Sequence, residues 1–146
     1  MSLESFAQNG WITAQATSPA EVKSLLAIVS RGIADSKVDA ISADLRFIAA
    51  FSAALTAATV ALRACGYRTK TQAGHHLKTV ECLEFTIGAD SKLISKMRTF
   101  SNKRNATSYD SAGNVSSQEL ELVIKVAQQL QNDVTAWLKK SHPELL

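Results

Sequence analysis

The stretch SADLRFIAAFSAALTAATVALRACG, residues 42–66, decides the fold. Ala49, Ala50, Ala53, Ala54, Ala57, Ala58 and Ala61 make it smooth, while Leu45, Phe47, Ile48, Phe51, Leu55, Val60 and Leu62 give it bulk on more than one side. A helix that is apolar on several sides is buried on several sides. The stretch is therefore read as the central helix of a bundle, opening near Ser42 and ending at Gly66, which tolerates the left-handed C-terminal cap.

Helices are expected on either side of it. Upstream, Ser18-Pro19-Ala20-Glu21 carries a capping serine, a proline suited to the first helical position and a glutamate that can close a capping box. Val22, Leu25, Leu26, Val29 and Ile33 then mark one helical face. Downstream, a shorter helix holds His75, His76, Leu77, Val80, Leu83 and Ile87 and stops at Gly88. Asp90 caps the next, whose core face runs Leu93, Ile94, Met97, Phe100 and onward to Arg104. Ser116-Ser117-Gln118-Glu119 opens a long last helix, with Leu120, Val123, Ile124, Ala127, Leu130, Val134, Trp137 and Leu138 on one face; His142-Pro143 ends it. The class expected is all-α, an antiparallel up-and-down helical bundle of four main helices plus a shorter fifth, over residues 17–146. Residues 1–16 carry no sustained period and read either as a short helix or staple around Phe6, Trp11 and Ile12, or as an arm docked on the bundle.

At 146 residues with two prolines and 6% aromatic side chains, the chain suits one close-packed helical core. Cys65 and Cys82 sit among apolar neighbours, and no charged segment followed by an apolar one precedes them as in a secretion signal, so a reducing cytoplasm and inert, buried free thiols are expected. Lys, Arg or Asp interrupts every apolar run before the roughly 20 residues that a membrane helix needs. Trp11 and Trp137 lack basic neighbours and read as packing anchors rather than as base-stacking platforms.

Charge is unevenly spread. Residues 63–104 contain nine Lys/Arg (Arg63, Arg68, Lys70, Lys78, Lys92, Lys96, Arg98, Lys103, Arg104) against three acids (Glu81, Glu84, Asp90), and the flanks are slightly acidic. A basic middle in a near-neutral chain is either a solvated face or the footprint of an anionic partner such as nucleic acid or a nucleotide.

The stretch with most chemistry is Lys103-Arg104-Asn105-Ala106-Thr107-Ser108-Tyr109-Asp110, followed by Gly113 and the capped last helix. It resembles the HEPN domains (higher eukaryotes and prokaryotes nucleotide-binding), in which an Arg and a polar residue precede a His that lies four intervening residues after the Arg. Together with Ser42-Ala43-Asp44-Leu45-Arg46-Phe47, Cys65-Gly66-Tyr67-Arg68 and Gly74-His75-His76, the run is similar to one bacterial subgroup of that family over residues 20–146. The resemblance implies a helical bundle, a homodimer, and RNA or nucleotide as partner. Some members are metal-independent endoribonucleases, and others accompany nucleotidyltransferases in toxin–antitoxin pairs.

One residue departs from the pattern: Tyr109 occupies the place of the catalytic His. A His with a pKa near roughly 6.5 accepts a proton at neutral pH, whereas a phenol near about 10 mostly donates one. Arg104 and Tyr109 are thus the candidate catalytic pair in weakened form. Phosphate binding by Arg104 and Asn105, aided by Lys103, Arg68, His75 and His76, survives this change more easily than cleavage does. On the other reading Arg104 pairs with Asp110 and Tyr109 packs on the bundle, locking a helix end, with Asp110 as structural support. A nucleotidyltransferase partner, with Tyr109 as the acceptor of a transferred nucleotide, is the remaining alternative. No cofactor is expected, and no metal: adjacent histidines diverge by about 100° around a helix, and the cysteines lack zinc-site spacing.

Overall fold

Side-chain caps fix where the long helices begin. The hydroxyls of Ser18, Ser42 and Ser116 and the Asp90 carboxylate accept from the amides of Glu21 (3.2 Å), Leu45 (3.3 Å), Glu119 (3.0 Å) and Leu93 (2.9 Å). Each cap satisfies an amide that the helix itself leaves without a partner. Glu119 completes a capping box by accepting from the Ser116 amide. Glu21 does not; its carboxylate is taken by Thr17 and, across to the central helix, by Arg63 at 3.0 Å.

The computed structural model describes residues 1–70, 74–110 and 112–146. The order is α1 (Leu3–Gln8), β1 (Ile12–Ala14), α2 (Pro19–Ser36), α3 (Ala43–Ala64), β2 (Tyr67–Thr69), α4 (His75–Glu81) with a following 3-10 turn (Cys82–Glu84), α5 (Ser91–Asn105), a π-helical turn (Ala106–Asp110), α6 (Ser117–Ser141) and a final 3-10 turn (Pro143–Leu145). This is an all-α bundle with a two-stranded antiparallel ribbon, in which Ile12 pairs with Thr69 and Ala14 with Tyr67.

Polar ties give the helix directions. Glu21 at the start of α2 meets Arg63 at the end of α3, and Arg46 at the start of α3 donates to the Ser36 carbonyl at the end of α2, at 2.8 Å, so the two run antiparallel. The Gly113 amide, just before α6, donates to Asp44 at 2.8 Å, so α3 and α6 start at the same end. Phe100 near the end of α5 meets Phe47 near the start of α3 edge-on, centroids 6.0 Å apart.

Helix α3 is the axis. Phe47, Phe51, Val60, Leu62 and the alanines at 50, 53, 54, 57, 58 and 61 are buried, mostly against α2 and α6. Gly32 of α2 marks the closest approach: a Cβ there would lie 3.0 Å from the Ala53 Cβ and 3.2 Å from the Ala49 carbonyl oxygen. Among the described residues α3 is the one helix long and apolar enough to cross a membrane, contrary to the expectation that charged residues rule out every candidate span. Its apolar side chains are instead spent on the bundle core. Leu45, expected to add bulk to that core, is 60% exposed.

Residues 1–16 fold onto the far end of α3. Phe6 and Ile12 are buried with Leu62 and Cys82 in a second, smaller cluster, and Phe6 meets Trp11 and Phe85 edge-on at 5.0 and 5.3 Å. Burial, then the neighbouring Glu81 carboxylate, pushes the Cys82 thiol up to about 12, and burial raises that of Cys65. Neither thiol is a nucleophile near neutral pH.

Replacing Gly32 by valine should wedge α2 from α3 and lower stability by about 1–3 kcal/mol, because the atoms it meets are backbone and a Cβ that cannot swing aside. Urea denaturation of the two proteins measures the difference; an unchanged midpoint would contradict the close approach.

Candidate functional site

The last turn of α5 carries two adjacent cations with different fates. Successive helical residues point about 100° apart, so Lys103 and Arg104 face different neighbours. Lys103 reaches α6, donating to the Asn114 carbonyl at 2.6 Å and pairing with Glu119 at 3.3 Å. The Ser116 amide first, and then Lys103, hold the Glu119 carboxyl below its usual range. Lys103, expected from the sequence to help bind phosphate, is placed as a strut between α5 and the α6 cap.

Arg104 lies on the α4 side. Helix α4 runs alongside α5, with Glu81 taking Arg98 at 3.7 Å, and its first turn, after Gly74 at φ +80°, holds His75 and His76. The two imidazoles do not simply diverge: their rings meet edge-on, centroids 4.0 Å apart. Partial burial, then His75, then Arg104 lower the His76 pKa from its ordinary value. The structure therefore gathers His75, His76 and Arg104, taken from two separate motifs, at one end of the bundle. Arg104 also donates to the Asn105 side-chain oxygen at 3.4 Å.

Immediately after this, the helix widens. Residues 106–110 form a π-helical turn, a local feature common at functional sites. In an unbroken α-helix, positions 104 and 109 would stand about 140° apart; bonding from i to i+5 in the wider turn reduces that offset. Thr107 Oγ1 is buried there with no hydrogen-bond partner among the described residues. The side chains of Tyr109 and Asp110 lie outside the described residues, and so do the expected pairing of Asp110 with Arg104 and the packing of Tyr109.

Other quoted residues have partners within the fold. Arg68 sits in the β ribbon, its Nε on the Gln15 side-chain oxygen at 3.1 Å and Nη1 on the Thr69 carbonyl at 3.4 Å, contacts that tie β2 to the residue after β1. In the stretch around Asp44, Ser42 caps α3, Asp44 holds Gly113 and Arg46 caps the end of α2. These contacts anchor the turn between α2 and α3 and the loop before α6. Among the described residues no three His, Cys, Asp or Glu side chains gather as a metal site would require. Thr107 and Asp44 fall within the stretches quoted from the sequence but carry no individual signal there: Thr107 looks like any threonine in a helix, and the partner of Asp44 is a backbone amide.

In comparisons with known protein families, with curated proteins and with solved structures, nothing matches this chain.

The lowered His76 pKa has a definite sign. Above the ordinary His range both folded and unfolded chains are neutral at this residue and nothing is lost. As pH falls through that range the unfolded chain binds the proton first, so stability present at neutral pH is lost as pH drops through the folded value. NMR titration of the His76 ring should give a midpoint below that of a free histidine, and Arg104→Gln should move it upward. A His76 midpoint unmoved by Arg104→Gln would refute the juxtaposition.

Proposed function

We propose that this protein is a soluble, cytoplasmic HEPN-like RNA- or nucleotide-associated protein that holds a phosphate at Arg104. The observation that carries this reading is the meeting of Arg104 with His75 and His76, positive or potentially positive groups drawn together from distant parts of the chain. The planar guanidinium of Arg104 supplies paired donors that match phosphate oxygens, and the neighbouring imidazoles can add ring N–H donors. The side chain of Asn105, next to Arg104, adds a neutral hydrogen-bonding group.

The same site is poorly supplied with a base at position 109, where a phenol stands in place of an imidazole. Binding without efficient cleavage follows from that chemistry. A second reading, a metal-independent endoribonuclease, is favoured by one observation: the lowered pKa leaves His76 neutral near pH 7, able to accept a proton beside Arg104. A homodimer is supported by Val38, Ile41 and Leu45, exposed apolar side chains between the end of α2 and the first turn of α3, the turn that holds Gly113.

Labelled single-stranded RNA with the protein in EDTA separates these readings. Wild-type binding should weaken between about 50 and about 200 mM salt, and Arg104→Ala should cut affinity about tenfold or more and lower the salt slope by about 0.7, one phosphate contact on a single strand. Equal binding by wild type and Arg104→Ala would sink the proposal. Cleavage by wild type that is lost in His76→Ala would put the ribonuclease reading first.

A further inference from the structure

Helices α5 and α6 both pack on α3, yet among the described residues they scarcely touch each other. Lys103, Glu119 and Asn114 tie them at one end. Beyond that tie they part, and the space between them is an open groove of about 640 Å³. Its floor includes Leu93, Val126 and Trp137, with Leu122 at the rim, 41% exposed. Lys92, Lys96 and Lys125 line its walls. Lys92 and Lys96 are one helical turn apart and so share a face of α5.

We propose that this groove receives one amphipathic α-helix of a partner protein, its apolar face on Leu93, Leu122 and Trp137 and its acidic flanks against the three lysines. Length favours a helix: from Leu122 to Trp137 the wall runs about 22 Å at the helical rise, or about four turns. Backbone satisfaction favours it too, since a helix laid on an apolar floor brings its own hydrogen bonds, whereas an extended peptide would need strand partners that neither wall provides. The charge of the walls selects an acidic occupant. Asp90, the acid at one end, is engaged in capping α5, which leaves Asp133 as the opposing charge on α6. RNA is a poorer fit, because an apolar floor and Asp133 offer nothing to a phosphate chain. The surface is separate from the Arg104 site and does not depend on the function proposed for it.

The test uses the full chain and two labelled peptides of roughly 15 residues, each with leucines at helical spacing, one flanked by glutamates and the other by lysines in the same places. Fluorescence anisotropy should show wild-type protein binding the acidic peptide about tenfold or more tighter than the basic one, a difference of about 1.4 kcal/mol. Lys96→Glu with Lys125→Glu should reverse that preference, and Leu122→Asp should abolish binding of both. All three side chains are exposed, so unchanged thermal melting should accompany these losses. Equal affinity for the two peptides, or no binding of either, overturns the proposal. So does loss of RNA binding in the double lysine variant, which would give the groove to nucleic acid. Self-association that disappears in Leu122→Asp would give it to a second copy and overturns the proposal as well.

Discussion

The close approach of α2 to α3, set by Gly32 against Ala49 and Ala53, governs how the remaining helices are arranged. Small side chains on α3 let a neighbour's backbone come near, and the larger Phe47, Phe51, Val60 and Leu62 fill the space left between helices. Each such side chain is worth about 1.5–3 kcal/mol when fully buried. Because α2 and α6 take most of the surface of α3, helix α5 is left with a narrower contact, made near Phe47 by Phe100 and deeper in the core by Met97. That division of one helix among unequal neighbours explains why the α5–α6 seam stays open.

Much of this was legible in the residues. Ser18, Ser42, Asp90 and Ser116 all cap helices where their spacing to the next apolar run says they should, because capping depends on local geometry alone. The bundle follows from the 3.6-residue period, which is likewise local. Strands β1 and β2 were not legible, since three residues are too few to show a period of two, and their pairing joins positions more than fifty residues apart. Leu45 misleads for a related reason: it continues an apolar pattern, but at the first turn of a helix the neighbours that would cover it have already turned away.

The site was legible in its parts and not in its assembly. The resemblance drew attention to Gly74-His75-His76 and to Arg104-Asn105, but nothing in a linear pattern brings the first turn of α4 to the last turn of α5. Nor could spacing say that Lys103 turns to Glu119 and Arg104 to the α4 side. That difference comes from the 100° between neighbouring helical residues and from which helix lies on which side. The π-helical turn is hidden as well, because its residues carry no composition that separates it from an α-helical end.

Helix ends are where chemistry could arise in such a bundle. The middle of α3 is committed to packing on most sides, and a charged group placed on a buried one would cost more in lost hydration than it could return. At the end of α5 Arg104 and Lys103 are only partly buried and keep part of their hydration, so they are held there at little cost. One of them is neutralised by the cap of α6, which fixes the spacing between helices. The other stands beside His76, whose proton affinity is lowered by burial, then His75, then Arg104; the packing of α4 against α5 thus sets how readily that imidazole takes a proton.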